Sequence, residues 1–324
     1  MKKTLLGLGL AVAVFSSCNQ YKKGEGGLLY KIHEDKPGPT IKDGDFIAFM
    51  AIEKTEDDSV LFSSYDYDHA QFMLKQKPSF KGDLFSGLEL LSEGDSATFK
   101  VSIDSVVKKS GQPRPATLKG KYWLYTLKIK KVIPKGKLNE QDFRAKIETF
   151  IKAETDKAKS QESGKISKYV SSKNLKPATT TSGLSYVIQE KGNGPKANPG
   201  DTVVLNYTGM LLNEKVFDTS ILDIAKKKGT FNPQRPYEPM KVPAGVSSTI
   251  PGFDEALLLF PKGTKATIIL PSKLAYGEQG SGPMIPPYAP LIFDIEIVNI
   301  IPKKGASAPQ PTTTSAPTSG NTAK

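Results

Sequence analysis

The sequence predicts an α+β fold in two domains, each an antiparallel sheet packed on a short helix, joined by a helical linker. Residues 291–300 alternate, so that Phe293, Ile295 and Ile297 face one way and charged residues the other, as in a half-buried strand. Apolar residues recur at i, i+3, i+4 and i+7 in residues 253–260, which predicts a short amphipathic helix. Short motifs of the first half return in the second half, which predicts two domains of one kind.

The repeat keeps one spacing over three motifs. The matching pairs are Gly27-Leu28-Leu29-Tyr30 with Gly183-Leu184-Ser185-Tyr186, Gly38-Pro39 with Gly194-Pro195, and Gly44-Asp45 with Gly200-Asp201. Each pair is separated by 183 − 27 = 156 residues. A period of this size is that of a whole domain, so it indicates a tandem duplication rather than a solenoid.

In the second copy, each element has its own signal. Residues 201–211 and 264–270 are predicted strands, and the first places Val203, Leu205 and Tyr207 on one face. Pro251 suits the first turn of the short helix because no N–H is needed there. Pro261 and the glycine two residues later end that helix.

The two copies are connected by a predicted helical linker, residues 135–182. Asn139 can cap a first helix, and Ile166, Tyr169 and Val170 form the apolar stripe of a second short helix. The stripe of the first helix is Phe143, Ile147, Phe150 and Ile151. Residues 154–165 between them are charged and poor in apolar side chains. The stripes can pack on a domain of the same chain, which is the simpler interpretation, or pair with a second copy as a homodimer.

The N-terminus carries an export signal. Lys2 and Lys3 precede an apolar run, residues 5–15, that is shorter than the roughly 20 residues needed to span a bilayer. Small residues then precede Cys18, the only cysteine, which resembles a bacterial lipoprotein cleavage site. We expect a lipoprotein signal peptide at 1–17, palmitate or a similar acyl chain on Cys18, and a tether at 18–26. An ordinary secretory signal, or a cytosolic enzyme with a chance cysteine, are the alternatives.

Six short motifs follow one another in the second copy. They are Tyr207-Thr208-Gly209, Val216-Phe217-Asp218-Thr219-Ser220, Ile250-Pro251-Gly252-Phe253, Leu274-Ala275-Tyr276-Gly277, Ile285-Pro286-Pro287 and Phe293-Asp294-Ile295-Glu296. An aromatic residue on a strand is, taken alone, more often core than catalytic. The joint pattern over residues 183–302 resembles the FKBP-type peptidyl-prolyl cis-trans isomerases.

The resemblance implies an isomerase domain at 183–302 and a set of site residues. The implied apolar pocket comprises Tyr207, Phe217, Tyr237, Phe253, Tyr276, Ile285 and Phe293. It also implies that Phe253 lies under the proline ring and that Asp218 organises the wall. The Ile250 backbone N–H and the Tyr276 hydroxyl are implied donors to substrate carbonyls.

The chemistry of that reaction suits these residue types. Rotation about an X–Pro bond has a barrier of about 18–20 kcal/mol, and the twisted amide is less polar than the planar one. A dry aromatic pocket favours the twisted form, and fixed donors orient the neighbouring carbonyls. We therefore expect neither a cofactor nor a metal ion.

Three features depart from the family pattern. Phe253 stands where the family often has tryptophan, which keeps a ring but removes an indole N–H. Thr249 stands where an apolar residue is usual. A longer segment, residues 221–235, follows Asp218 and could cover the pocket or narrow its substrate range.

The first copy, residues 27–134, has lost the pocket in the predicted register. The replacements are Ala51 for Tyr207, Ser63 for Asp218, Leu84 for Phe253 and Val107 for Tyr276. We expect a degenerate domain that folds without catalysing isomerisation and that binds extended chains, holds orientation or simply packs.

Composition limits the other functions. The net charge of +12 reflects a lysine-rich surface, which is either merely solvated or attracted to anionic surfaces or acidic clients. No nucleic-acid motif is present, and the only histidines, His33 and His69, have no partner at metal-ligand spacing. The tail at 303–324 is rich in Pro, Ser, Thr and Ala and is predicted to be disordered.

The predicted function is that of an isomerase that assists the folding of exported proteins. Its expected partners are proline-containing unfolded or extended polypeptides and, through the lipid anchor, a membrane, with the outer membrane and its periplasmic face favoured. The alternative is a chaperone or peptide-binding module of the same fold without catalysis.

Overall fold

A computed structural model describes residues 20–303 of the chain. The predicted signal segment at 1–17, Cys18 and all of the predicted tail except Lys303 lie outside the described residues. The chain divides into two compact units, Met1–Phe150 and Ile151–Lys324, and the division falls inside the predicted linker.

The first unit is built on a seven-stranded antiparallel sheet. Its strands are β1 Lys22–Lys23, β2 Leu29–Glu34, β3 Phe46–Lys54, β4 Val60–Ser63, β5 Gln71–Leu74, β6 Ser96–Ser102 and β7 Tyr122–Ile133. They are ordered β1-β2-β6-β7-β3-β4, and β5 also pairs with β3. Apolar side chains of the inner face, among them Ile47 and Phe99, are fully buried and form the core.

Two short helices complete the first unit. They are α1 Leu84–Leu88 and α2 Ile103–Ser110. The Asp83 carboxylate caps α1 by accepting the Ser86 backbone N–H at 2.9 Å, which satisfies a donor that the helix cannot use itself. Gly87 lets α1 approach the sheet, because a Cβ there would lie 2.6 Å from the Phe99 ring.

The second unit has a sheet of the same size. Its strands are β8 Ala178–Thr179, β9 Ser185–Glu190, β10 Thr202–Leu211, β11 Val216–Thr219, β12 Met240–Pro243, β13 Lys265–Leu270 and β14 Leu291–Ile301. The order is β11-β10-β14-β13-β9-β8, and β12 also pairs with β10. The predicted strands at 201–211, 264–270 and 291–300 are therefore present as β10, β13 and β14.

The helices of the second unit include the one that the apolar spacing predicts. This helix, α5 Pro251–Leu259, begins with proline in its first turn and is followed by Pro261. Another helix, α4 Leu222–Lys228, lies in the segment that lengthens the chain after Asp218. Two antiparallel sheets with few helices confirm the predicted α+β class.

The two sheets share one topology. Read from the other end, the first sheet is β4-β3-β7-β6-β2-β1, which matches the order β11-β10-β14-β13-β9-β8 strand for strand. The additional strand also occupies the same place, since β5 pairs with β3 as β12 pairs with β10.

Equivalent side chains make the same hydrogen bonds in the two units. Asp45 accepts the backbone N–H groups of Lys42 at 2.8 Å and Lys135 at 2.9 Å. Asp201, at the matching position, accepts the N–H groups of the residues at 198 and 303 at the same two distances. Each carboxylate therefore ties the start of a central strand to the chain that leaves the last strand of its sheet.

The linker contains one long helix, α3 Glu140–Ser172, rather than the two short helices predicted from the sequence. Asn139 caps its start as expected, since its side-chain oxygen accepts the Asp142 N–H at 2.8 Å. The charged middle segment continues the helix because Ala, Glu, Lys and Gln are strong helix formers even without an apolar stripe. An ion pair between Lys152 and Asp156 at 2.7 Å adds support one turn apart.

The start of α3 packs within the first unit. Phe143, Ile147 and Phe150 contact a small core around Phe46 and Phe72, and the Phe46 and Phe150 ring centroids are 5.9 Å apart. This part of the stripe packs on its own chain, as the simpler interpretation proposed. Within residues 20–303, no helix is both long and apolar enough to cross a membrane.

We expect Phe143→Ala to lower the free energy of unfolding of the first unit by about 3 kcal/mol, because it removes a ring that is 95% buried. Urea unfolding followed through Trp123, the chain's only tryptophan, would report on this unit alone. Leu90→Ala is the control, since Leu90 is 44% exposed and its loss should cost about 0.5 kcal/mol or less. Equal losses in both variants would contradict the packing role of α3.

Candidate functional site

The strands β10, β11 and β14 bring an acid, a glycine and a ring to one place on the inner face of the second sheet. Gly209 lies opposite Asp218 on one side and opposite Phe293 on the other. The register between β10 and β11 shifts directly after this pair, and Phe217 is left unpaired. Such a bulge re-aims a side chain, and here the Phe217 ring lies 5.8 Å from the Phe293 ring.

Gly209 allows this approach. A Cβ at this position would lie 2.7 Å from the Phe217 ring and 2.8 Å from the Phe293 ring, distances that real Cβ atoms do not show. The glycine of the Tyr-Thr-Gly motif is therefore required by packing, because the two rings occupy the space that a side chain at position 209 would fill.

Three buried rings form what we call the aromatic floor: Phe253, Phe293 and Tyr207. The Phe253 ring lies 5.1 Å from Phe293 and 6.1 Å from Tyr207, and both contacts are edge-to-face. Phe253 comes from the first turn of α5, which approaches β13 closely because a Cβ on Gly252 would lie 2.6 Å from Leu270. All three rings are at least 94% buried, so the floor excludes water.

Beside the floor lies a hydrogen-bonded group that we call the polar wall: Tyr207, Asp218 and Arg235. The Tyr207 hydroxyl donates to Asp218 at 2.6 Å. The Arg235 guanidinium pairs with the other Asp218 oxygen and donates to the Tyr207 oxygen at 2.8 Å. The carboxylate is therefore neutralised by a cation within the site.

The polar wall changes the acidity of its members. Burial, together with the Asp218 carboxylate, raises the pKa of Tyr207 to about 12. The bond to Asp218 is the main reason that the pKa of Arg235 is raised, although burial opposes it. At neutral pH the wall thus holds a neutral phenol between fixed opposite charges.

Arg235 was not among the predicted site residues. It lies 17 residues after its partner, at the end of the additional segment, and nothing in its local sequence marks a partner so far away. Tyr237, two residues further on, was the predicted site residue nearest to Arg235 in the sequence.

The additional segment, residues 221–235, has two parts. Its helix α4 helps to line a groove of about 700 Å³ with Met210 and Thr267 on the outer face of the sheet. Its second part reaches the wall, since the Phe231 ring stacks on Tyr237 at 5.7 Å and Arg235 lies 5.8 Å over the same Tyr237 ring. The structure therefore ties Tyr237 to this segment; its ring makes no ring–ring contact with the floor within residues 20–303.

The implied carbonyl donors lie in loops around the floor. Ile250 precedes α5 as its N-cap, and the turn before it is held by Asp254, whose carboxylate accepts the N–H groups of Gly245 at 2.8 Å and Ser247 at 2.9 Å. Tyr276 is 39% exposed, so its hydroxyl is accessible from solvent.

A second loop, residues 272–288, carries Tyr276 and Ile285, and we call it the rim loop. Ile285 is buried and exchanges two backbone hydrogen bonds with Ser281 at 2.7 and 3.2 Å. Gly280 is required beside them, because a Cβ there would lie 2.2 Å from the Ile285 carbonyl oxygen.

The rim loop is also held from outside the pocket by α3. The Glu162 carboxylate accepts the backbone N–H of Ser272 and, at 2.8 Å, its hydroxyl. The Ser272 carbonyl in turn accepts the N–H groups on either side of Tyr276, at 2.8 and 2.9 Å. Lys159 of the same helix lies 5.6 Å over the Tyr288 ring.

The structure thus brings Tyr207, Phe217, Asp218, Phe253 and Phe293 into direct contact. Ile285 is buried within the rim loop, and Tyr276 and Ile250 lie in loops. Within residues 20–303, no group of three or more His, Cys, Asp or Glu side chains is arranged to hold a metal ion.

Comparison with known proteins agrees with this geometry. Residues 194–298 match the family model of the FKBP-type peptidyl-prolyl cis-trans isomerases. Through its second unit, the chain belongs to this family, and the resemblance predicted from the motifs is confirmed.

Two relatives illustrate the match. The FKBP-type isomerase FkpA of Aeromonas hydrophila is 36% identical over 162 residues, which cover 49% of this chain and 54% of the relative. The outer membrane protein MIP of Legionella longbeachae is 35% identical over 156 residues, 48% of this chain and 60% of the relative. The chain thus spans between half and two thirds of the length of these relatives.

A solved structure, FkpA of Escherichia coli, is 30% identical and covers 51% of this chain and 75% of that chain, with a TM-score of 0.38.

The raised pKa of Tyr207 predicts how the second unit responds to alkali. The folded state favours the neutral phenol, so the stabilisation is complete below the unfolded pKa of about 10 and is lost as the pH rises towards about 12. Between these pH values, the intact chain should lose about 2 kcal/mol more stability than Tyr207→Phe. Urea unfolding followed by circular dichroism at a series of pH values measures the difference, and parallel profiles would contradict it.

Proposed function

We propose that the second unit accelerates cis–trans isomerisation of X–Pro bonds in unfolded or extended polypeptides. The observation that carries this proposal is the dry aromatic floor beside a polar wall whose charges cancel internally. The floor is apolar and the charges of Asp218 and Arg235 are paired with each other, so the site suits a proline ring better than an ionic substrate.

The floor lowers the barrier by binding the twisted amide better than the planar one. Twisting removes the resonance of the X–Pro bond, so the amide becomes less polar and loses less by leaving water. Interactions that are stronger in the twisted state than in the ground state accelerate the rotation. Phe253, which is 97% buried, is the ring on which we place the proline.

Donors around the floor orient the carbonyl groups of the substrate. The Ile250 N–H donates to no acceptor among residues 20–303, and the Tyr276 hydroxyl is accessible from solvent, so both are free to meet carbonyls on either side of the proline. Fixed donors of this kind stabilise a rotating amide without reorganisation. The polar wall keeps the Tyr207 ring in place behind them.

We propose that the protein works in the cell envelope as a lipoprotein attached through Cys18. The N-terminal signal supports this proposal, and so does the similarity to a relative that is named an outer membrane protein. Its clients would be exported polypeptides that contain proline. Attachment to the outer membrane, its periplasmic face and a homodimer through the linker helices stay predictions.

We further propose that the two units arose by tandem duplication and that only the second catalyses. The shared strand order and the matched hydrogen bonds of Asp45 and Asp201 support the duplication. The first unit has Ala51 where the second has Tyr207, so its polar wall cannot form.

The register of the first unit corrects one replacement inferred from the sequence. Ser64 accepts the Ala51 N–H at 2.8 Å, as Ser220 accepts the Tyr207 N–H at 3.0 Å. The residue equivalent to Asp218 is therefore Phe62 and not Ser63. Phe62 also lies 156 residues before Asp218, the separation shared by the three motif pairs, whereas the predicted register matched Phe62 with Phe217 by residue type.

Substitutions in the site should lower catalysis, and Phe253→Ala should also destabilise the second unit, because it removes a ring that is 97% buried. We expect Phe253→Ala and Asp218→Ala to lower kcat/KM by roughly tenfold or more, which is about 1.4 kcal/mol of transition-state stabilisation. Tyr276→Phe removes one exposed hydrogen bond and should lower it by about threefold. A proline-peptide exchange assay on the full chain measures these effects.

Tyr65→Phe is the matched control for Tyr276→Phe, since Tyr65 is an exposed tyrosine of the first unit and its loss should leave kcat/KM unchanged. If the unaltered chain shows no acceleration on any X–Pro peptide, catalysis is excluded and a peptide-binding module remains.

Lipid attachment can be tested at Cys18. We expect Cys18→Ser to abolish fatty-acid labelling and to release the protein from the membrane fraction, because two or more acyl chains hold a protein where one barely does. Mass spectrometry of the N-terminal peptide identifies the acyl groups, and Ser16→Ala serves as a control that keeps the cysteine. Mature protein with an unmodified Cys18 would refute the anchor.

A further inference from the structure

The first unit carries a carboxylate where the second has a glycine. Glu53 lies opposite Phe62 on β4 and opposite Tyr125 on β7. In the second sheet, Gly209 lies opposite Asp218 and Phe293 in the same way. The acid of the second unit, Asp218, lies on the edge strand β11, whereas Glu53 lies on the central strand β3 between two aromatic residues.

Further rings surround this carboxylate. Trp123 stacks on Tyr125, with ring centroids 5.1 Å apart, and Phe62 stacks on Tyr67 at 6.1 Å. Leu61, the unpaired residue of the β3–β4 bulge, corresponds to Phe217 and is 37% exposed. We call Glu53, Phe62, Trp123 and Tyr125 the aromatic–acid cluster. All four side chains are half-buried, so the cluster remains open to solvent.

Glu53 has no cation partner among residues 20–303, whereas Asp218 has Arg235. The neighbouring Lys54 pairs instead with Asp58, at 3.7 Å. Burial raises the pKa of the Glu53 carboxyl, and the facing Trp123 indole offsets part of the rise. That indole nitrogen is itself buried and makes no well-formed hydrogen bond within the described chain.

The same cluster affects Tyr125. Burial, with a further contribution from the negative charge of Glu53, raises the pKa of this phenol. The Glu53 carboxyl and the Tyr125 phenol, whose pKa values are both raised, therefore lie side by side. A positive charge placed next to Glu53 would stabilise its ionised form. Aromatic faces attract cations as well, and most strongly where the cation leaves water.

We propose that the aromatic–acid cluster of the first unit binds the cationic side chain of a lysine or arginine in an extended polypeptide. The carboxylate supplies the counter-charge, the rings of Trp123 and Tyr125 supply faces for the alkyl stem and the cation, and Leu61 supplies an apolar rim. This site is separate from the proline pocket and goes beyond the isomerase proposed for the second unit.

The cluster contains its own reporter, since Trp123 is the only tryptophan of the chain. The probes are two proline-free peptides, Gly-Leu-Lys-Leu-Gly and the same peptide with norleucine for lysine, both with blocked ends. Neither offers an X–Pro bond to the second unit. We expect the lysine peptide to shift Trp123 emission and to bind at least fivefold more tightly than the norleucine peptide on the full chain.

Glu53→Gln should reduce that preference to less than twofold, whereas Glu34→Gln, a control carboxylate of the same unit, should leave it unchanged. Equal affinity for the two peptides on the unaltered chain would overturn the proposal, and that comparison needs no variant to fold. An unchanged preference in a folded Glu53→Gln variant would also overturn it. Isomerase activity of the second unit is measured separately, so either proposal can fail alone.

Discussion

The close approach of Phe217 and Phe293 over Gly209 is the contact on which the proposed proline pocket depends. The bulge in β11 turns Phe217 towards the inner face, and the missing side chain at position 209 leaves room for both rings. With those rings in place, the floor stays dry, and Asp218, whose side chain is 35% exposed, bonds to Tyr207 and Arg235 beside it. Without the floor, this partly exposed ion pair would be more exposed still, and exposed ion pairs contribute little to stability.

The first unit shows what the same scaffold does when that contact is impossible. Its bulge lies at the same place, but Glu53 replaces the glycine and Leu61 replaces the phenylalanine. A side chain now fills the space between the strands, so two rings cannot close over it. An identical strand order therefore presents a polar wall whose charges cancel in one unit and, in the other, a carboxylate among rings that has no cation partner within residues 20–303.

The sequence predicted the features that depend on local pattern. Strong alternation identified β10 and β14, and Pro251 with its apolar spacing identified α5, because each signal lies within the element that it predicts. Arg235 was missed because its ion pair spans an additional segment that has no pattern of its own. Ser63 was matched to Asp218 for another reason: Phe62 had been matched to Phe217 by residue type. The separation of 156 residues and the pairing of Glu53 with Phe62 both give Phe62 as the equivalent of Asp218.

The single helix α3 was missed for a different reason, and the consequence reaches the site. An exposed helix needs no apolar stripe, so its charged middle resembled a break. That middle bears Glu162, which holds Ser272 and through it both neighbours of Tyr276. The floor is rigid because it is packed, whereas the rim loop is positioned by hydrogen bonds from outside the pocket. We therefore expect the second half of α3 to support the site together with the predicted domain at 183–302.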